Sequence, residues 1–599
     1  MLDWLKLRKR ETSENWKEKG NSHLAEGRTE EALSCYLQAV KEDERDPLAH
    51  LNAGFACQEL GRDAEAVAAF KRSLALDAGS VDAHYLLGKS LAAQGALEEA
   101  AARFETAIEL RPGFAYAHRD LGVLEERMGH VDNALHCYER AVTCDPEFAA
   151  DLAGPMQVLR ARALHASGQH DGALVLLGDL LQAHPQDVAA LQARGNLLFD
   201  LKRYDQALED CERVVALRPD LVEGLSSCGA ILERLGRYQE ALDVIDKALQ
   251  MRPDFAAAAN NQGLCLLALG RCREAIAASE RALQANPAEA NLHWNKGVGH
   301  LLLGELREGW SEHEWRSGAD AMGQGSRPAV FNCPMWTGTE PLAGKTIVLT
   351  AEQGLGDSIQ FLRYAPLLAQ QGAAVLLRLP QPLVSIANDL APGCRLALVG
   401  EADRADYFCP LLSLPFAFRT TIETIPASVP YLRSEAQRKA AWEEQLGPRS
   451  KTRVGLVWSG NPAHRNDANR SIALAALLAA VPSHCQLVNL QKDIRPQDQD
   501  ALAASGMFDP SGQLQDFADT AALVDCMDLV ISVDTSVAHL AGALARPLWL
   551  LLPFAPDWRW ILGRDDTPWY PTARLFRQGE DRRWEPVLAR VAKELAQLA

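Results

Sequence analysis

Small and apolar positions in the first half of the chain recur with a period far longer than a helical turn. Gly20, Gly54, Gly88 and Gly122 stand 34 residues apart, each followed twelve residues later by Ala32, Ala66, Ala100 and Ala134, and then by Tyr36, Phe70, Phe104 and Tyr138. Pro112 and Pro146 close the unit. A second phase runs through Gly195, Gly229, Gly263 and Gly297, with Ala207, Ala241 and Ala275 at the small position and Pro219, Pro253 and Pro287 as stops. This pattern predicts paired helices: Gly and Ala let two helices approach, an aromatic ring fills the gap, and proline, lacking an N–H, ends the second helix. From Gly122 to the equivalent Ala161 the step is 39, so five residues near Ala149–Pro155 are extra. They predict a longer connection or kink that splits the array into a block of four units and a block of five.

From about Gly318 the rhythm stops, and Gly323, Gly325, Pro328, Pro334, Gly338 and Pro341 mark a linker over 317–342. Short apolar runs then alternate with helical patterns. Thr346–Ala351 and Ala373–Leu379 predict strands, with helices over Asp357–Gln370 and Pro382–Leu390. Ile425–Tyr431, carrying Pro426 and Pro430, predicts a hinge, and Val454–Trp458, Leu487–Leu490, Leu529–Val533 and Leu548–Leu552 predict a second strand series. Strands alternating with helices imply parallel sheets. The expected fold class is therefore α followed by α/β: a solenoid, then two Rossmann-like lobes over 343–430 and 431–599, with a ligand cleft between them.

The 34-residue period with its small, aromatic and proline positions resembles the tetratricopeptide repeat, in about nine copies from Asn15 to Arg316 (15–316). Such an array does no chemistry itself; it implies a groove for a protein or peptide partner, or else a spacer or homo-oligomer surface.

Charge narrows the partners. The 599 residues carry 61 Lys plus Arg against 79 Asp plus Glu, a net charge of −18, which disfavours nucleic acid because phosphate backbones are held by surplus positive charge. The basic N-terminus is followed by no apolar stretch long enough for a signal peptide, and the longest apolar run, Pro547–Ala555, is too short to span a bilayer. No transmembrane segment is expected. Thirteen scattered cysteines without a Cys-x-x-Cys predict reduced, mostly buried thiols and a cytoplasmic location.

Open parallel sheets bind ligands beyond the carboxyl ends of their strands, so the loops after strands are where chemistry is expected. In Glu352-Gln353-Gly354-Leu355-Gly356-Asp357-Ser358, Gly354 and Gly356 permit a tight turn close to a ligand; alternatively Asp357 only caps a helix beginning at Ser358. Ser459-Gly460-Asn461-Pro462, with His464, Arg465 and Arg470 nearby, suits a diphosphate, or is a plain solvated loop. In Asp534-Thr535-Ser536-Val537-Ala538-His539, Thr535 and Ser536 stand at a helix N-terminus suited to phosphate oxygens, while His539 lies one turn in or is satisfied inside the lobe. Asp498-Gln499-Asp500 has the letters of a metal-binding Asp-x-Asp but reads as a solvated helical face, and no metal site is expected. Trp558, Arg559 and Trp560 read either as a stacking platform or as packing.

Together these loops resemble the heptosyltransferase-like family of inverting glycosyltransferases with the GT-B fold, over about Lys345–Ala599. Gly356-Asp357 is similar to that family's Gly-Asp after its first strand, which implies that Asp357 is the general base. Asp534-Thr535 with His539-Leu540-Ala541 is similar to its donor motif, with Ser536 in place of a usual glycine. Arg470 stands where the family has a lysine on the donor phosphates. The resemblance implies donor contacts from Gly354, Gly356, Ser459, Gly460, Asn461, Arg470, Asp534, Thr535, Ser536 and His539, a nucleotide-diphosphate sugar as donor, and no cofactor or metal. His313-Glu314-Trp315-Arg316, Glu352–Asp357 and Pro553–Trp560 further resemble bacterial tetratricopeptide proteins with a glycosyltransferase-like tail. The layout is similar to O-linked N-acetylglucosamine transferases, which gives weight to a protein acceptor. The competing expectation is a non-catalytic repeat scaffold whose tail retains nucleotide recognition.

Overall fold

The computed structural model describes residues 12–319, 331–388, 390–398, 400–464 and 466–597. Residues 320–330 of the linker and Arg465 therefore lie outside the described residues. The chain divides into two compact units, Met1–Gly224 and Leu225–Ala599.

Among the described residues, nine helix pairs run from Ser13–Ala25 with Thr29–Glu42 to Ala290–Leu302 with Leu306–His313. The recurring glycines work by proximity. A Cβ on Gly54 would lie 2.6 Å from the Phe70 ring, on Gly88 2.7 Å from Phe104, and on Gly122 2.6 Å from Tyr138, so each aromatic sixteen residues on fills the space a side chain would need. Tyr36, Phe70, Phe104 and Tyr138 are buried accordingly. The extra residues do not form a longer connection: they extend one helix, Phe148–Ala166, with Pro155 inside it. The division between the compact units comes later, at Gly224 and Leu225, leaving six helix pairs before it instead of four.

Beyond the repeats lie two parallel sheets. The first contains β1 (Thr346–Thr350), β2 (Ala374–Arg378), β3 (Cys394–Leu396) and β4 (Tyr407–Pro410), in the order β3-β2-β1-β4. The second contains β5 (Arg453–Val457), β6 (Gln486–Asn489), β7 (Leu529–Val533), β8 (Leu548–Leu552) and β9 (Ala573–Arg577), in the order β6-β5-β7-β8-β9. All pairings are parallel, from Ile347 opposite Val375 to Leu550 opposite Leu575. Strand order reverses at β1 and β4 in the first sheet and at β5 and β7 in the second, the switch points at which such sheets bind ligands.

Every residue of β5, β7 and β8 is buried, because helices cover both faces of a parallel sheet. Successive residues serve different cores: Val530 packs into the one shared with the first sheet and the last repeat, Ile531 into the one beneath the closing helix Glu585–Leu595. The shared core includes Trp310 from the last repeat, whose ring meets Phe361, Trp558 and Trp569 at centroid distances of 6.2, 5.2 and 6.4 Å. Trp315 points elsewhere, stacking on His293 at 4.0 Å and remaining 40% exposed. Eleven cysteines lie outside any disulfide, but Cys211 and Cys228 are disulfide-bonded, a correction to the expectation of reduced thiols throughout. Among the described residues no helix is long and apolar enough to cross a membrane.

Candidate functional site

The loop after β1 turns into the helix Leu355–Phe361, which begins earlier than Ser358. Asp357 is its third residue, and one carboxylate oxygen accepts the Gly354 N–H at 2.8 Å, closing the helix start. The other oxygen meets Arg559 Nη2 at 2.5 Å. Gly356 serves packing: a Cβ there would lie 2.7 Å from His539 Cδ2, so the glycine lets this helix approach Ser536–Ala543 of the second lobe. The loops after β1 and β7 meet at that contact.

Thr535 precedes the helix Ser536–Ala543, and its hydroxyl lies 3.1 Å from Ser532 Oγ. Asp534 joins the neighbouring loop through its carbonyl, which accepts Arg470 Nη1 at 3.0 Å. Arg470 in turn lies over Gly460, where a Cβ would fall 2.5 Å from the guanidinium. Ser459 and Asn461 are spoken for locally. The Ser459 N–H donates to Gln491 Oε1 at 3.0 Å and its hydroxyl accepts from Gln491 Nε2 at 2.7 Å, while Asn461 Oδ1 accepts the Ala463 N–H at 2.9 Å.

A fourth loop, after β8, completes the cluster. Arg559 is 5% exposed and bridges Asp357 to Asp557, whose Oδ1 accepts Arg559 Nη1 at 2.7 Å. The guanidinium lies over the Trp558 ring at 4.0 Å. Trp558 and Trp560 are buried, and Trp560 stacks on His539, so both tryptophans pack the lobe. His539 Nδ1 pairs with the Tyr570 hydroxyl at 2.9 Å, and its Nε2 lies 4.0 Å from Asp534 Oδ1.

Charge is concentrated and poorly hydrated here. Burial raises the Asp357 carboxyl above its ordinary range, with Arg559 pulling the other way. Burial and then Asp557 push Asp534 up to about 6. Burial, reinforced by Arg559, lowers His539 to about 3 and keeps it neutral. The arrangement can hold an anion near Arg470 and the Ser536 helix start, and a proton at a partly desolvated carboxylate. It is a convergence of side chains: two surface hollows of about 580 and 550 Å³ lie elsewhere, lined in part by Glu289 with Trp315 and by Trp336 with Arg419.

Asp498, expected on a solvated face, is buried. Its carboxylate accepts the Trp458 indole N–H and the Leu474 N–H, both at 3.0 Å, tying β5 to the following helix. Among the described residues no group of three His, Cys, Asp or Glu side chains could hold a metal ion. The sequence assigns Asp557 no site role, although it stands in the Pro553–Trp560 run, because only the folded lobes place it across Arg559 from Asp357. The signal available was the Asp-Trp-Arg-Trp run after a buried strand.

Models of the tetratricopeptide repeat match residues 17–83, 85–149, 188–221, 230–290 and 266–308. The N-terminal region is a tetratricopeptide-repeat array. Protein FlbA of Caulobacter vibrioides is 30% identical over 322 residues, 49% of this chain and 52% of that protein, so the chain spans about half the length of this relative. A tetratricopeptide repeat protein from Parabacteroides merdae is 17% identical, covering 42% of this chain and 98% of its own, with a TM-score of 0.36. MamA is 19% identical, covering 33% of this chain and 94% of its own, with a TM-score of 0.21.

Proposed function

We propose that the C-terminal region is an inverting, metal-independent glycosyltransferase of GT-B type that takes a nucleotide-diphosphate sugar as donor and a protein or glycan recruited by the repeats as acceptor. The observation that carries this reading is the meeting of the loops after β1, β5 and β7, all at strand-order reversals, around Asp357, Arg470 and the Ser536 helix start. In the proposed step an acceptor hydroxyl oxygen bonds to the anomeric carbon as the bond from that carbon to the diphosphate oxygen breaks. The hydroxyl proton passes to Asp357, and the leaving diphosphate is met by Arg470 and the N–H groups at Thr535 and Ser536. Tetratricopeptide arrays are protein-interaction scaffolds, which supports recruitment of the acceptor by the repeats.

A second reading, a scaffold with a nucleotide-binding but inactive tail, is favoured by one feature: both Asp357 oxygens already have partners, Gly354 N–H and Arg559. The two readings separate experimentally. A thermal-shift screen of nucleotide sugars identifies the donor, since a ligand of the native state raises its stability by mass action. Asp357→Asn is then expected to abolish transfer with donor affinity nearly unchanged, because a base acts in the chemical step. Wild-type binding without turnover favours the scaffold; full turnover by the variant removes Asp357 from the base role.

A further inference from the structure

We infer that Arg316, at the end of the last repeat, is a positioning residue for Asp357 that acts through Glu352. The inference rests on the base role proposed above. Arg316 belongs to the 3-10 helix Glu314–Gly318, which follows the last repeat helix, and its side chain is only 3% exposed. Its Nη2 donates to Glu352 Oε2 at 2.7 Å and to Ser413 Oγ at 2.6 Å, and its Nη1 donates to Glu314 Oε1 at 2.8 Å. Ser413 Oγ donates to Glu314 Oε2 at 2.9 Å, closing the cluster.

Glu352 is the second residue past β1 and stands five before Asp357, in the loop that leads into the helix carrying Asp357. Its side chain is 1% exposed, and Oε1 has no hydrogen-bond partner, so Arg316 is the counter-charge that meets this carboxylate directly. The Glu352 carboxyl is raised by burial and held down mainly by Arg316. Losing Arg316 therefore leaves a buried acid that must take up a proton or move, and either outcome releases the start of the Asp357 loop. The other end of that loop is held by the Gly354 N–H and by Arg559.

Adhesion alone does not call for this pair. Trp310, 1% exposed, already fastens the last repeat to Phe361, Trp558 and Trp569. A buried ion pair is an expensive way to add adhesion, since apolar residues of similar volume often stabilise as much or more. A guanidinium fork supplies what they lack, a fixed direction. The last repeat is thus a third component of the proposed site, and the two lobes without it are incomplete.

The test uses the full chain with three changes: Arg316→Lys, Glu352→Gln, and the apolar pair Arg316→Met with Glu352→Leu. Each is followed by unfolding midpoint, by amide exchange over 352–361, and by kcat and KM for hydrolysis of the donor found in the screen. Arg316→Lys and Glu352→Gln are expected to speed exchange over 352–361 and to lower kcat about 10–100-fold, the size of effect expected from a misplaced reacting group, with KM little changed. The apolar pair should recover the midpoint but neither the slow exchange nor kcat. If it recovers all three, the cluster is packing and the inference is overturned; if it does not fold, the two single changes decide, and unchanged exchange and kcat in both overturn it. A wild-type chain that hydrolyses no nucleotide sugar defeats the proposed function, and exchange over 352–361 then still decides whether Arg316 holds the loop.

Discussion

His539 is held neutral in a place crowded with charge, and its cost of protonation makes stability depend on pH. In the unfolded chain its imidazole titrates at about 6.5; in the fold burial and Arg559 hold it near 3. Below pH 6.5 the unfolded state gains a proton that the native state refuses, so the stabilisation present above that pH is lost on the way down to about pH 3. Asp534 works in the opposite sense, since its carboxyl is raised to about 6; its contribution is present below the unfolded value and lost as pH rises through 6. Replacing His539 by Gln should isolate the first effect: between pH 7 and 5 the stability advantage of the wild type over the variant should shrink by about 2 kcal/mol. Tryptophan fluorescence in urea can follow this, because every tryptophan except Trp4 and Trp16 lies beyond Leu225. A constant gap would mean that the native site admits the proton. Arg470→Ala tests the anion role and should weaken nucleotide diphosphate binding by about 1.5–3 kcal/mol, the range for hydrogen bonds to charged groups. Unchanged calorimetric affinity would mean that Arg470 serves only its internal contacts, the bond to the Asp534 carbonyl and the ion pair with Asp467. Asp357, Arg470 and Asp534 could be named from the chain because each follows a buried strand. The pairing of Asp357 with Arg559 could not, because it joins residues some 200 positions apart in two lobes.

Helices and strands were readable to the degree that their environment was uniform. The repeat helices were legible because the glycine, alanine and aromatic positions report one packing problem solved repeatedly. The central strands β1, β5, β7 and β8 read as apolar runs because both faces are covered. The edge strands β3, β4 and β9 escaped, since Cys394–Leu396 is three residues long, Tyr407–Pro410 ends in proline, and Ala573–Arg577 is interrupted by the exposed Arg574 and ends in the half-buried Arg577. Pro155 misled in the other direction. Proline ordinarily ends a helix, yet Phe148–Ala166 continues through it, with Phe148 and Leu152 buried before it and Val158, Leu159 and Ala161 after it. Tertiary contacts on both sides thus outweigh a lost hydrogen bond to the Asp151 carbonyl. If so, Pro155→Ala should stabilise the first unit by about 1–3 kcal/mol, a substantial part of the usual cost of an interior proline. Urea unfolding followed by far-UV circular dichroism would show it. A loss of stability would mean that the helix is bent to fit and that its neighbours depend on the bend.

Across the whole chain, the array and the tail pose different binding problems. Stacked repeats offer a long surface suited to an extended partner, whereas the convergent arginines and helix start are compact and suited to a small anion. The expected division of labour is that early repeats select the acceptor while the tail binds donor and performs chemistry. A cut at the last repeat would be uninformative, because it would remove Trp310 from the shared core and Arg316 from the buried cluster. A chain starting at Pro185, in the loop before Val188–Asp200, avoids this: it keeps the final helix pairs and both Cys211 and Cys228. Once circular dichroism shows it folded, this shortened chain should bind the donor with full-length affinity and hydrolyse it slowly, yet modify the natural acceptor far more slowly than the whole protein. The comparison is informative because donor affinity acts as its internal control. Weakened donor binding would report damage to the tail, whereas intact donor binding with slow transfer would report a missing acceptor surface. Equal transfer rates for the two chains would show that Met1–His184 acts as spacer or oligomer surface, and acceptor choice would then have to reside in Pro185–Ala599.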